Sequence, residues 1–149
     1  MKIIKDIMVT KVFTANENET LSEVAIKMLE NNVGCLPVLN DEGKLVGFLS
    51  ETDFAGKEKL IPFSRNHAPQ LFGKWLNEGG IEEMYKNAKT MKVSEIMSTP
   101  PISISEDETI VDLIEKIMKY NIHRIPVLKD DELVGIVSRR DLLKLLFIK

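Results

Sequence analysis

The chain is poor in the residues that build cross-links and metal centres: its 149 residues include one cysteine, Cys35, and two histidines, His67 and His123. A single thiol closes no intrachain disulfide, and no cysteine or histidine spacing matches a zinc site, as expected of a protein kept in a reducing compartment. The same scarcity argues against catalysis, because the two imidazoles lie in distant segments and no nucleophile, base and orienting group form a recognisable pattern. An excess of one charge is also missing. The 20 basic and 23 acidic residues leave a formal net charge of −3, so the overall field opposes a polyanion and nucleic acid is not expected as a partner. No apolar run approaches the roughly 20 residues that span a bilayer, and residues 1–6 lack the apolar stretch of a secretory signal. The expectation is a cytoplasmic protein with no membrane insertion. What the chain does contain is 44 % hydrophobic and 29 % charged residues, the balance of an ordinary globular interior and surface, in a length that suits one domain or two small subdomains.

Self-similarity is the strongest positive signal. Ile7-Met8-Val9-Thr10 matches Ile96-Met97-Ser98-Thr99 at an offset of 89. At that offset Glu19-Thr20 falls on Glu108-Thr109, Asn32 on Asn121, Pro37-Val38-Leu39 on Pro126-Val127-Leu128 and Asp41 on Asp130. One residue then drops out, and at 88 Leu45-Val46-Gly47 meets Leu133-Val134-Gly135, Ser50 meets Ser138 and Asp53 meets Asp141. The chain is a duplication with a single deletion in a turn.

Each copy resolves into the same elements. Leu21, Val24, Ala25, Met28 and Leu29 share one face of a predicted helix, and Ile110, Leu113, Ile114, Ile117 and Met118 repeat the spacing. Thr20 with Glu23, and Thr109 with Asp112, carry the capping-box pattern at the two helix starts. Apolar runs at 36–39 and 45–49, and at 125–128 and 133–137, flank polar turns and predict two hairpins. A short strand is expected before each helix, near 13–15 and 102–104, and an apolar helix closes the second copy over 141–148. The fold class is α/β of the α+β type.

Each hairpin ends in Gly-apolar-apolar-Ser-x-x-Asp, at Gly47 to Asp53 and at Gly135 to Asp141. Glycine there lets a ligand approach the backbone, early helix amides offer donors to an anion, and an aspartate accepts from neighbouring hydroxyls, a set that suits a ribose phosphate. The competing reading is purely structural, since Ser-x-x-Asp is also a helix cap. Recurrence in both copies favours a function, although duplication would copy a cap as well.

The Met-x-Thr opening, the apolar-Pro-Val-Leu strand and the Gly-x-x-Ser-x-x-Asp end, found twice, resemble a pair of cystathionine β-synthase (CBS) domains, a Bateman module. The resemblance covers residues 1–53 and 94–149, with 54–93 as an insertion between the motifs. It implies two motifs related by a pseudo-twofold axis, with clefts that bind AMP, ADP, ATP or S-adenosylmethionine. It also implies a homodimer and a regulatory role toward a separate enzyme or transporter; an assembly scaffold that binds no ligand is the alternative. Carried over by position, one cleft would join Val33, Cys35 and Pro37 to Ser138, Arg140 and Asp141. The other would join Ile122, His123, Arg124 and Pro126 to Ser50, Thr52 and Asp53, with Thr10 and Thr99 as further polar contacts. In the family the aspartate holds the ribose hydroxyls.

The two copies differ in charge: His123-Arg124 stands where the first has Gly34-Cys35, and Arg139-Arg140 where it has Glu51-Thr52. Guanidinium forks match phosphate oxygens, so tighter phosphate binding is expected beside Asp141 and Arg140. A solvated helix face for the arginines and a packing role for His123 are the plainer alternatives, and Cys35 reads as a small buried strand residue. The insertion holds Pro62, Phe63, Pro69, Leu71, Phe72, Trp75, Leu76, Ile81, Met84 and Tyr85, too much apolar surface to leave in water. Two short helices are expected, near 70–77 and 81–88, on either side of Gly79-Gly80. With seven Lys or Arg against four Glu, the segment could form a basic flap beside a phosphate cleft or simply cover its own module.

Overall fold

Thr20 and Thr109 open the two long helices in the same way. Each residue is extended, and its hydroxyl accepts the backbone N–H three residues on, Glu23 and Asp112, at 3.2 Å in both cases. The helices that follow are α1 (Leu21–Glu30) and α4 (Ile110–Tyr120) in a computed structural model that describes residues 2–60, 67–75 and 80–149. Only the second start is a complete box: the Asp112 carboxylate takes the Thr109 N–H at 3.0 Å and its hydroxyl at 2.9 Å. Those bonds, the backbone one foremost, hold Asp112 below the ordinary carboxylate pKa of 3.8. A carboxyl whose folded pKa is depressed stabilises the fold above its unfolded value, so this cap is intact at neutral pH and is lost as pH falls through the lowered pKa. Both helices end in the same fashion. Asn32 and Asn121 take φ of 51°, and the next N–H reaches back to Met28 at 3.0 Å and to Ile117 at 3.3 Å, a left-handed stop that asparagine tolerates better than most residues.

After each helix comes a hairpin. In the first repeat β1 (Ala15–Asn16), β2 (Cys35–Leu39) and β3 (Leu45–Ser50) lie in that order, with β1 parallel to β2. The second repeat repeats this with β7 (Ile104–Ser105), β8 (Arg124–Lys129) and β9 (Glu132–Ser138). The missing residue falls in the hairpin turn. Asp130 and Asp131, with φ of 49° and 64°, join Lys129 to its partner Glu132 in a two-residue loop, whereas the first repeat turns through a longer loop that uses Gly43 at φ 79°. The opening strands each start two residues later than the sequence reading set them.

The chain divides into two compact units, and neither is a contiguous repeat. The first unit comprises Phe13–Glu42 and Val46–Pro101, the second Met1–Val12, Gly43–Leu45 and Ile102–Lys149. The Met-x-Thr opening of each repeat is therefore built into the unit formed around the other. In the second unit Ile4 and Ile7 are buried among Ile104, Leu113, Ile117, Ile125, Val127 and Val137, while Ile4 and Lys5 donate to the carbonyls of Glu108 and Glu106 at 3.0 and 2.9 Å. In the first unit Val93 and Ile96 join Leu21, Val24, Leu36, Val38 and Leu49, while Val93 and Ser94 donate to Glu19 and Glu17 at 2.9 and 3.0 Å. The two arrangements match residue for residue at the offset of the repeat.

The helix faces are narrower than their apolar pattern. Leu21, Val24 and Met28 are buried on α1, and Leu113 and Ile117 on α4. Leu29 is 83 % and Met118 77 % exposed, because the expected faces extend beyond the stripe each core accepts.

The insertion departs most from expectation. Instead of a helix near 70–77, a short α2 (Glu51–Phe54) leads into a sheet of β4 (Ala55–Leu60), β5 (His67–Leu71) and β6 (Lys74–Trp75). Phe72 and Gly73 form the turn between β5 and β6 with φ of 54° and 74°; two consecutive left-handed residues cannot continue a helix and instead favour a tight hairpin. The second expected helix is present as α3 (Ile81–Ala88). Leu71, Phe72 and Ala88 are buried in the core of the first unit, Met84 packs against it, and the Phe72 and Tyr85 rings meet edge to face at 5.0 Å. The insertion thus covers its own module. Pro62, Phe63, Leu76 and Gly79 lie outside the described residues. The closing segment is a 3₁₀ helix, Arg139–Leu146, rather than an α-helix over 141–148. At three residues per turn its side chains line up every third position: Leu142, Leu145 and Ile148 pack on the core, while Leu143 and Leu146 are 60 % and 84 % exposed. No described helix is long and apolar enough to cross a membrane.

The glycine of each motif has a structural cause. A Cβ at Gly135 would stand 2.9 Å from the Val9 carbonyl oxygen and 2.8 Å from Met8 Sδ, and one at Gly47 would meet Met97 Sδ at 2.5 Å and the Ser98 carbonyl at 3.2 Å. Gly135→Ala should lower stability by about 1–3 kcal/mol, the usual cost of overpacking. Gly47→Ala should cost less, since a flexible thioether can move and a backbone carbonyl cannot. Denaturant unfolding of both variants checks the order.

Candidate functional site

The Ser-x-x-Asp segments sit where β3 and β9 turn into helix. In the second unit the antiparallel register sets Arg124 opposite Ser138, and the Arg139 N–H donates to the His123 carbonyl at 3.0 Å. The start of β8 and the end of β9 are thereby fixed side by side. His123, Arg124, Ser138, Arg139, Arg140 and Leu143 line a hollow of about 450 Å³. In the first unit the Glu51 N–H donates to the Gly34 carbonyl at 3.1 Å, the same bond at the equivalent position. The sequence reading joined Ile122, His123, Arg124 and Pro126 to Ser50, Thr52 and Asp53, and Val33, Cys35 and Pro37 to Ser138, Arg140 and Asp141. The proximities the structure shows are within a unit: Arg124 beside Ser138, His123 beside Arg139, and Gly34 beside Glu51.

Both aspartates are buried, Asp53 at 3 % and Asp141 at 7 % exposure, and both cap. Asp53 Oδ2 accepts the Ser50 N–H at 2.8 Å, and Asp141 Oδ2 accepts the Ser138 N–H at 2.8 Å and its hydroxyl at 3.0 Å. The structural reading of the motif is therefore realised in each copy. Their second oxygens differ. Asp53 Oδ1 accepts from the Ser98 hydroxyl at 3.1 Å, whereas Asp141 Oδ1 pairs with Lys144 Nζ at 3.0 Å. A carboxylate has about four acceptor positions, so the cap does not by itself exhaust the group. Lys144 also donates to the Ile7 carbonyl at 2.8 Å, tying the aspartate to the opening segment of the chain.

The remaining predicted residues fall into two groups. Pro37, Cys35 and Pro126 are buried in strands, and Val33 and Ile122 are half-buried against the cores. Thr10, Thr52, Thr99, His123, Arg124 and Arg140 are exposed, with Ser50 and Ser138 half-buried; the Ser50 and Thr52 hydroxyls lie 2.8 Å apart. Glycine was expected to admit a ligand, but Gly47 and Gly135 admit the chain itself: Phe48 and Ser98 exchange backbone bonds of 3.0 and 2.8 Å, and Val9 and Ile136 bonds of 2.8 and 2.9 Å. Sequence reasoning missed Ser98, Lys144 and Leu143. Ser98 was detectable, since the repeat aligns it with Val9, a hydroxyl against a methyl. Lys144 and Leu143 depend on the 3₁₀ pitch and carried no such signal. Among the described residues no group of three or more His, Cys, Asp or Glu is placed to hold a metal ion.

A family model described as CBS domain matches residues 4–58 and 93–148. The uncharacterized protein MJ1404 of Methanocaldococcus jannaschii is 34 % identical over 148 residues; the match takes in 96 % of this chain but 32 % of that protein's length. The CBS domain of a CBS domain-containing membrane protein from Sphaerobacter thermophilus is 33 % identical, with a TM-score of 0.70 over 99 % of this chain and 89 % of that one. The CBS domain pair of protein MJ0100, solved in complex with 5′-methylthioadenosine and S-adenosyl-L-methionine, is 27 % identical, with a TM-score of 0.68 over 97 % of this chain and 95 % of that one.

Proposed function

The chain belongs to the CBS domain family, and from that premise we propose that it is a regulatory module that binds an adenosine-containing ligand and acts on a separate enzyme or transporter, without catalysis of its own. The observation that carries the reading is the pair of buried, cap-anchored aspartates at matching hairpin ends. Each is held rigidly by its own backbone, which fixes an acceptor for a ribose hydroxyl before any ligand arrives. Adenosine-containing ligands in the similar MJ0100 pair support the class of molecule. AMP, ADP, ATP and S-adenosylmethionine are the specific candidates, with Ser50, Thr52 and Asp53 in the first unit and Ser138, Arg140 and Asp141 in the second as ribose and phosphate contacts. Val33, Cys35, Pro37, Ile122 and Pro126 would shape the wall beside the base, and Thr10 and Thr99 would add polar contacts.

A ligand that prefers the folded state raises its stability by mass action. A thermal shift with AMP, ATP or S-adenosylmethionine is expected, and no shift with any of them at millimolar concentration would favour the scaffold instead. Asp141→Ala should weaken AMP binding more than Asp53→Ala, because Arg139 and Arg140 stand next to Asp141 and Glu51 next to Asp53. Losing hydrogen bonds to a charged acceptor costs about 1.5–3 kcal/mol. Calorimetry giving the opposite order would refute the ranking.

The homodimer belongs to the same proposal. Ile26 and Leu29 on α1, and Val111, Ile114 and Met118 on α4, leave apolar side chains exposed beside each buried stripe, and such surface is commonly covered by a second copy. Sedimentation should report a dimer that Leu29→Glu with Met118→Glu converts to monomer; a wild-type monomer at high concentration would remove the dimer from the proposal.

A further inference from the structure

How much of a sugar Asp141 can hold depends on the acceptor positions it has left. A carboxylate offers about four. Among the described residues three donors already stand on it: the Ser138 N–H at 2.8 Å and hydroxyl at 3.0 Å on Oδ2, and Lys144 Nζ at 3.0 Å on Oδ1. A ribose presents two adjacent hydroxyls, so a carboxylate that takes both needs two positions, and Asp141 has one. The Ser138 bonds are the helix cap itself and are fixed by the backbone. Lys144 is the donor that can leave, since it ends a flexible stem and its side chain is 34 % exposed.

Lys144 reaches Asp141 because residues three apart line up along the closing 3₁₀ helix. The same ammonium donates to the Ile7 carbonyl at 2.8 Å, and Ile7 is buried in the core of the second unit. One cation thus joins the candidate acceptor to the opening segment of the chain. In the first unit the corresponding oxygen, Asp53 Oδ1, accepts from the neutral Ser98 hydroxyl at 3.1 Å, and the residue that the repeat aligns with Lys144 is Gly56. A charged donor at this position therefore belongs to the second copy alone.

We infer that Lys144 is a positioning residue that sets the affinity of the second unit for a vicinal diol. It holds the acceptor position that the second ribose hydroxyl requires. A ribose that engages Asp141 through both hydroxyls displaces the ammonium, and the displaced Lys144 no longer ties Ile7. Occupancy of the site is in this way coupled to the hold on residues 4–9. This rests on the ribose contact proposed for Asp141 and specifies what regulates it.

Calorimetry on the full chain with adenosine and 2′-deoxyadenosine, neither of which carries a phosphate, tests the assignment on wild type, Lys144→Met and Lys144→Arg. Lys144→Met keeps the apolar stem and removes the donor, so it should bind adenosine roughly fivefold more tightly, the scale of a partly exposed ion pair. 2′-Deoxyadenosine offers one hydroxyl of the pair, which the remaining position accepts without displacement, and its affinity should be the same in all three proteins. Lys144→Arg keeps the cation and should bind adenosine no more tightly than wild type. Hydrogen exchange reads the tie on the unaltered chain, whether or not Lys144→Met folds: adenosine should speed exchange of the amides of residues 4–9, and 2′-deoxyadenosine should not. Lys144→Met that binds adenosine no more tightly than wild type, or exchange at 4–9 that adenosine leaves unchanged, would overturn the role of Lys144 and leave the adenosine reading standing. Failure of both nucleosides to bind any of the three proteins would overturn both.

Discussion

The tightest constraint in each unit is the approach of one backbone to another at a glycine. Val9 pairs with Ile136 over Gly135, and Ser98 pairs with Phe48 over Gly47, through reciprocal bonds of 2.8 to 3.0 Å. A side chain on either glycine would collide with the neighbouring strand or its methionine. These pairings fix the ends of β3 and β9, and the Ser-x-x-Asp turns begin where those strands stop. They also bring Ser98 within reach of Asp53 and Ile7 within reach of Lys144, the partner of Asp141. The position of each candidate carboxylate therefore depends on a segment that comes, in sequence, from the start of the other repeat.

This explains why the repeat was easy to read and its consequences were not. Helices α1 and α4, both hairpins and the asparagine stops follow from local rules, and their signals are doubled by the duplication. The exchange of the opening segments is a long-range fact. Nothing in Met8-Val9-Thr10 says which sheet edge it joins, because both repeats present the same edge. The turn at Phe72 and Gly73 was legible in part: glycine was visible, but an aromatic in a left-handed conformation is uncommon, and its burial with Leu71 in the core offsets that local cost. The helix expected there was a reasonable reading of an apolar stretch whose alternation was too short to identify as strand. The 3₁₀ pitch of the closing segment was hidden as well, since apolar residues at nearly every position fit either helix and only packing chooses.

At the candidate site the difficulty is that one residue performs two tasks. The aspartate caps a helix start in both copies, joined by the serine hydroxyl in the second, and a cap requires the same spacing as the ligand motif the sequence suggested. Position alone could not separate the readings, and the bonds show that capping is real. The two tasks are compatible, however: a carboxylate clamped by its own backbone cannot rotate away, which is what a pre-set acceptor for a sugar hydroxyl requires. Capping is in that sense the means by which such an acceptor would be held.

Comparison of the repeats with each other separates scaffold from chemistry more sharply than either alone. Positions whose role is to meet backbone are the same in both: the two glycines, the two threonine caps, the two asparagine stops and the two aspartates. Four positions around the hairpin ends differ, and differ in charge: histidine against glycine, arginine against cysteine, arginine against glutamate, arginine against threonine. If the motif served capping alone, no physical demand would gather the cations on one repeat, because the positive end of a helix disfavours cations one and two residues beyond the serine. Every one of the four replacements removes positive or potentially positive charge from the first repeat, and the three arginines they leave on the second line a single hollow. A duplicated scaffold with unequal electrostatics can present two different surfaces to solutes of the same sugar and base, distinguished only by what is attached to the ribose.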